Sequence, residues 1–376
     1  MRRRPAAVLC ALLLATTGVI SGCSDSGGHP SGPSGSASAG TPAHGPVEVR
    51  RTVATQLDSP WGVAELPGGD LLVGSRNTGR VTHVAVRDGR QETLGTVPGV
   101  AASGEGGLLG LALSPGYASD HALYAYLTTA SDNRVVRMPV DEGAPEGRRL
   151  GAPRVVVDGI PKGEVHNGGR IAFGPDGMLY AGTGESGHRD LAQDRSSLGG
   201  KILRMTPDGR PAPGNPGPSS LVYSWGHRNV QGLAWDADKR LWAAEFGQDT
   251  WDELNLIEPG RNYGWPRVEG VAHRAGFTDP VVQWRPADAS PSGLAYADGA
   301  LWLAALRGER LWRVPLPRGG AAETTGPPEA FLKGTYGRLR TVVAAAAGGL
   351  WLTTSNTDGR GDPRPGDDRL LRLATG

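Results

Sequence analysis

Cysteine is nearly absent: the 376-residue chain has two, Cys10 and Cys23. Both lie in the first 23 positions, so the rest of the chain holds neither a disulfide framework nor a cysteine metal site. An excess of charge of one sign is also missing, since 39 basic and 38 acidic residues leave a net charge of +1. That balance gives no ground for nucleic acid as a partner. No apolar run reaches the ~20 residues that a membrane-spanning helix needs. Stretches with a helical period are few, whereas 59 glycines and 30 prolines supply turns throughout. Together these features predict an all-β domain.

The ends refine this picture. The chain opens "MRRRPAAVLCALLLATTGVISGC", three arginines followed by a short apolar run. Residues 1–22 read as a signal peptide. The "ISGC" that ends the run resembles a bacterial lipobox, in which the cysteine is lipidated and becomes the mature N-terminus. Cys23 is therefore the expected lipid anchor, and the expected location is extracytoplasmic on the cell membrane, held there by lipid alone. Residues 23–46 are mostly Gly, Ser, Pro, Ala and His. They cannot bury enough surface to offset their ordering entropy, so a flexible tether is expected. Residues 47–376 are ample for one folded domain.

One pattern recurs six times: an apolar strand, a Gly/Pro/Asp turn, a second apolar strand, a gap and a third strand. The copies begin at Trp61, Gly110, Arg170, Gly232, Gly293 and Thr341. Turns such as "LPGGD", "GPDG" and "YADG" use Gly for positive φ and Pro to preset φ. The flanking "LLV", "LYA", "LWA" and "LWL" have the apolar content of strands buried on both faces. Sheets of that kind cover one another when stacked radially, which predicts a six-bladed β-propeller. A seven-bladed ring and a β-sandwich are the alternative architectures.

In a propeller the chain enters each blade by its innermost strand, and ligands gather at the loops around the axis. His166 stands just before such a strand, in "VHNGGRIAF". Arg228 and Asn229 in "WGHRNVQG", Glu105 in "SGEGGLLG", and Arg338 and Arg340 in "TYGRLRTVV" stand at the same phase of other copies. Equivalent positions around a ring converge on one mouth. Converging guanidinium forks suit a polyanion, and an imidazole among them suits a general base.

These residues lie in motifs that resemble the PQQ-dependent soluble glucose dehydrogenase family, also called the glucose/sorbosone or aldose sugar dehydrogenase family. The resemblance runs from Leu57 to Leu373 and rests on "GGLLGLALSP", "HNGGRIAFGPDGMLY", "GGKILRMTPDG", "WGHRNVQGLAWD" and "DELNLIEPGRNYGWP". It implies a six-bladed propeller that oxidises the anomeric hydroxyl of an aldose to a lactone, with PQQ as hydride acceptor and an external electron acceptor beyond it. His166 matches the family's catalytic base, and Arg228 and Asn229 match residues at the reactive edge of PQQ. Arg338 and Arg340 match a paired-arginine cofactor motif, and Arg307 stands where the glucose enzymes have a lysine on the cofactor. The resemblance also implies two calcium ions. One matches main-chain carbonyls of Gly247 and Gln248 beside PQQ, the other Glu253 and Tyr263 at a structural site.

Several positions depart from that pattern. Val165 replaces the Asp that precedes the base in glucose enzymes, which removes a carboxylate expected to orient the imidazole or the sugar. Glu105 replaces a common glutamine, and Phe246 and Gln248 also differ. Two other functions therefore stand beside the dehydrogenase: a non-catalytic propeller that binds glycans or a protein partner, and a calcium-dependent lactonase-type hydrolase.

Overall fold

The computed structural model describes residues 44–317 and 325–376. The leader, Cys23 and the tether as far as residue 43 lie outside the described residues. Six four-stranded antiparallel sheets make up the described chain, the architecture that the repeats predict. The innermost strands are Pro60–Glu65, Leu108–Leu113, Ile171–Phe173, Val230–Trp235, Pro291–Ala297 and Leu339–Ala344. The turns that leave them carry Gly69, Gly177 and Gly299 at φ of 89°, 73° and 72°, the region that their sequences require.

The repeat pattern shows three strands per copy, and the structure has four. The fourth strands are short or half-exposed, such as Val282–Trp284 and Glu329–Phe331, and so leave little apolar signal. The last blade takes its outer strand from the other end of the chain. Val47–Ala54 pairs antiparallel with Leu370–Thr375, which closes the ring. Just before that strand, the Gly45 carbonyl accepts a hydrogen bond from Arg313 Nη1 at 2.9 Å.

The core is divided rather than central. Six buried apolar clusters sit one between each pair of neighbouring blades. The strand Ala300–Ala305 shows how the sequence achieves this. Ala300, Trp302 and Ala304 pack towards the sixth blade, while Leu301, Leu303 and Ala305 pack towards the fourth. Successive side chains point to opposite faces, so one strand serves two interfaces.

The innermost strands approach closely at the axis. A Cβ on Gly62, Gly110, Gly232 or Gly293 would lie 2.3–2.6 Å from backbone atoms of the next blade. The third and sixth blades carry Arg170 and Thr341 at this phase. The Arg170 side chain crosses the axis to reach three other blades. Its Nε donates to the Gln231 carbonyl at 2.8 Å, its Nη2 to Thr341 Oγ1 at 3.1 Å, and its Cζ lies 4.4 Å from the centre of the Trp61 ring.

Candidate active site

The loops that precede the innermost strands and those that follow the second strands emerge at one end, because the two strands are antiparallel. They wall a cavity of about 430 Å³ on the axis. Glu105, His166, Arg228, Asn229, Gly247, Gln248, Arg307, Arg338 and Arg340 all line it. The shared phase seen in the sequence thus becomes a shared location.

His166 is held from several sides. Its backbone has φ of 54°, unusual for a residue with a side chain. Its N–H donates to Glu105 Oε2 at 2.8 Å, and its carbonyl accepts from the Ser186 N–H at 3.0 Å. Gly184 packs against it so closely that a Cβ there would lie 1.8 Å from the His166 carbonyl oxygen. The ring Nδ1 lies 2.5 Å from Glu185 Oε1, and Glu185 is buried. The carboxylate expected to be missing at Val165 is therefore supplied by Glu185, from the loop after the strand Leu179–Gly182. With Nδ1 engaged, Nε2 is the ring atom left to accept a proton, and among the described residues it has no hydrogen-bond partner.

Glu105 does not stand as a free negative charge. Burial opposes its ionisation, but the His166 amide and the Arg360 guanidinium outweigh that and hold its pKa below the usual carboxylate range. Arg360 Nη1 lies 2.6 Å from Glu105 Oε1. The charge that the sequence places near an anionic ligand is thus neutralised from the sixth blade.

Six arginines line the cavity, Arg76, Arg228, Arg307, Arg338, Arg340 and Arg360, against three carboxylates, Glu105, Asp252 and Asp358. Asp358 serves two of these guanidiniums: its Oδ2 lies 3.0 Å from Arg338 Nη2 and 3.1 Å from Arg340 Nη2. Arg228 packs its guanidinium 5.4 Å from the Trp265 ring centre. The Nε atoms of Arg228 and Arg338 are buried without a partner. Asn229 uses its Oδ1 to hold the Gly168 N–H at 2.9 Å, so it also fixes the loop that carries His166.

The loop at Gly247 and Gln248 has an unusual hydrogen-bond pattern. Glu269 Oε1 accepts the N–H groups of Gln248, Asp249, Thr250 and Trp251 at 2.7–3.2 Å. In a trans peptide the carbonyl points away from the N–H. The carbonyls of Gly247 and Gln248 are therefore turned from Glu269, and no described residue donates to them. Two bare carbonyl oxygens fit a hard cation.

Glu253 and Tyr263 lie outside the cavity, within the fourth blade. Glu253 faces Glu245 across the ladder between adjacent strands. Burial pushes both pKa values up, and the two carboxyls reinforce this in Glu253. His227 contacts Glu245 at 2.6 Å and stacks on Tyr263 with ring centres 4.7 Å apart. The buried Asn255 Oδ1 has no partner, and no described residue donates to the Tyr263 carbonyl. Among the described residues no group of three or more His, Cys, Asp or Glu is placed to hold a metal. A cation here would rest on Glu253 with amide and carbonyl oxygens, a donor set that suits calcium.

Sequence reasoning missed Arg76, Glu185, Asp252, Asp358 and Arg360. Four of them follow the second strand of a blade, and Asp252 opens a third strand beside the same end. The signal was a second phase of the repeat, the residues just after the second strand, which faces the same mouth.

Comparison with known proteins agrees with this geometry. The family profile described as Glucose / Sorbosone dehydrogenase matches residues 57–372. The PQQ-bound form of aldose sugar dehydrogenase from Streptomyces coelicolor is 67% identical and superposes with a TM-score of 0.87, over 89% of this chain and 100% of that one. Aldose sugar dehydrogenase YliI of Escherichia coli is 31% identical over 68% of this chain and 74% of its own. Quinoprotein glucose dehydrogenase B of Acinetobacter calcoaceticus is 29% identical over 61% of this chain and 54% of its own.

Proposed function

The chain belongs to the glucose/sorbosone dehydrogenase family, and on that premise we propose that it oxidises the anomeric hydroxyl of an aldose to a lactone with PQQ as cofactor. The observation that carries this reading is an axial cavity with six arginines against three carboxylates, closing on one carboxylate-held imidazole. PQQ is a tricarboxylate, and the unpartnered Nε atoms of Arg228 and Arg338 fit such an anion. Bound there, PQQ supplies a quinone that accepts hydride from the sugar carbon. The chain's own residues do the rest. His166 Nε2 takes the proton of the anomeric hydroxyl, and Glu185 fixes the ring and stabilises the imidazolium that forms. Arg228 and Asn229 would hold the reactive edge of the cofactor near His166, while Arg307, Arg338 and Arg340 would pair with its carboxylates.

The lactonase alternative asks for a carboxylate-rich metal centre on the axis, and six arginines disfavour a bare cation there. Titration of the purified protein with PQQ, followed by absorbance, and a screen of aldoses with an artificial electron acceptor test the reading. Saturable binding and lactone formation are expected. No PQQ binding together with no turnover of any aldose would overturn it.

Calcium is part of the same proposal. The Gly247 and Gln248 carbonyls would hold one ion at the cavity, and Glu253 with the Tyr263 carbonyl would hold a second within the fourth blade. At a concentration 100-fold above its Kd, one ion adds about 2.7 kcal/mol of stability, or roughly 4 °C in Tm for a domain of this length. Thermal unfolding with calcium and with a chelator measures this. Glu253→Ala should abolish the share due to the inner site, and an equal calcium response in that variant would refute the assignment. We also propose that Cys23 anchors the protein outside the cytoplasm, where an external acceptor takes the electrons.

A further inference from the structure

We propose that Arg170 is a fixed positive charge beneath the cavity floor that favours an anionic occupant, and favours its reduced form over its oxidised form. This rests on the reading of PQQ as the cofactor.

Arg170 is 7% exposed, and its contacts are a carbonyl, a hydroxyl and an indole face. Among the described residues no carboxylate pairs with it. Three of the arginines that line the cavity have carboxylate partners. Arg338 and Arg340 share Asp358, and Arg360 pairs with Glu105. Burial, with Arg340 adding repulsion, pushes the Arg170 pKa down to about 9, which leaves it a cation at neutral pH. Thr341 Oγ1 donates to the Trp61 carbonyl at 2.5 Å, so its lone pairs are turned to receive Arg170. The charge is thus held in place by neutral groups alone.

Its position gives that charge a direction. Trp61 and Gln231 each touch Arg170 and also line the cavity above it. These two residues bridge the guanidinium and the cavity, and Arg170 itself borders the depression at the opposite end of the axis. Four other blades have glycine at this phase, where neighbouring backbone leaves no room for a side chain. The third blade alone sends a long cation across the axis.

The chemistry uses such a charge. Hydride carries two electrons and one proton from the sugar carbon to the acceptor, so the acceptor gains one negative charge. The hydroxyl proton goes to His166, which gains the balancing positive charge, and the sugar leaves as the two-electron-oxidised lactone. A preorganised cation below the acceptor stabilises the charge that arrives, without reorganisation. Being fixed, it acts on any anion that enters, before and after reduction.

Arg170→Gln removes the charge and keeps a polar group for the Gln231 carbonyl; Arg170→Met, which keeps the length of the side chain against Trp61, is the second neutral variant. A unit charge acting across roughly 10 Å at an effective dielectric of about 20 corresponds to about a tenfold change in affinity. PQQ binding should weaken about tenfold in either variant, while binding of the uncharged PQQ trimethyl ester stays unchanged. The midpoint potential of bound PQQ should fall by about 30 mV for each tenfold loss of preference for the reduced form. Arg170→Lys should retain both properties. Equal weakening for the acid and the ester would reduce Arg170 to a packing role, and unchanged affinity and potential in both neutral variants would overturn the proposal. Failure of the unsubstituted protein to bind PQQ would instead overturn the cofactor reading beneath it.

Discussion

Replacing His166 with asparagine is expected to lower turnover by about 10²–10⁴, the usual worth of a general base, while PQQ affinity changes little. Asparagine suits the test for a structural reason. The backbone at 166 has φ of 54°, and asparagine is among the residues that tolerate this region. Its amide can still donate to Glu185, which alanine would leave buried and unpaired. The loss is therefore chemical rather than conformational. A base acts only as the proton moves, so kcat and kcat/KM should fall together. Steady-state kinetics with an artificial acceptor, beside a PQQ titration of the same variant, measure both quantities. Glu185→Gln should give a smaller loss, because the ring stays in place while the imidazolium loses its counter-charge. A decrease below tenfold in His166→Asn would remove His166 from the role of base.

Much of the ring was legible because the repeat is local. Each copy states its own turn and its own doubly buried strand, and Trp302 beside Leu301 and Leu303 shows the two-faced burial in three letters. The closure by Val47–Ala54 was not legible. That strand begins with alternating half-exposed and exposed residues, and its partner lies more than 300 positions away. His166 and the arginines were found because equal phase in a repeat means equal place on the mouth. Glu185 escaped for the complementary reason: it reaches the same mouth from the second strand, a phase at which the other blades carry unrelated residues. Val165 read as a lost carboxylate, yet what the imidazole needs is a carboxylate at Nδ1, from whichever loop can deliver it. The charge of Glu105 was legible and its neutralisation was not, since Arg360 lies 255 positions further along the chain. Arg170 lay in the middle of a quoted motif and carried no sign of its role, because only the closed ring puts its side chain across the axis.

Asp358→Asn is expected to cost about 3–5 kcal/mol of stability, the usual penalty for leaving buried charge unpaired. Asp358 is 9% exposed. Its Oδ2 serves Arg338, Arg340 and Ser355, and its Oδ1 accepts the Arg360 N–H at 2.9 Å. An asparagine can keep the Arg360 contact, but it leaves two guanidiniums facing one another beneath the cavity. The pH dependence has a definite sign. Burial opposes ionisation of Asp358, yet Arg340 and Arg338 hold its pKa below the usual carboxylate range. The stability it supplies is therefore fully present above the unfolded-state pKa of about 3.9, and it is lost as pH falls through the lower folded value. In the Asn variant that part of the acid sensitivity should vanish, which denaturant unfolding measured from neutral to acid pH will show. The same variant also separates structural from binding roles. With Asp358 gone, the carboxylates of PQQ would replace the direct anionic partner that Arg338 and Arg340 lose. Added PQQ should then raise the Tm of the variant by more than it raises that of the unsubstituted protein. An equal rise in both would mean that Asp358 and the ligand do not compete for these arginines, and would move the carboxylate-binding end of the cavity elsewhere.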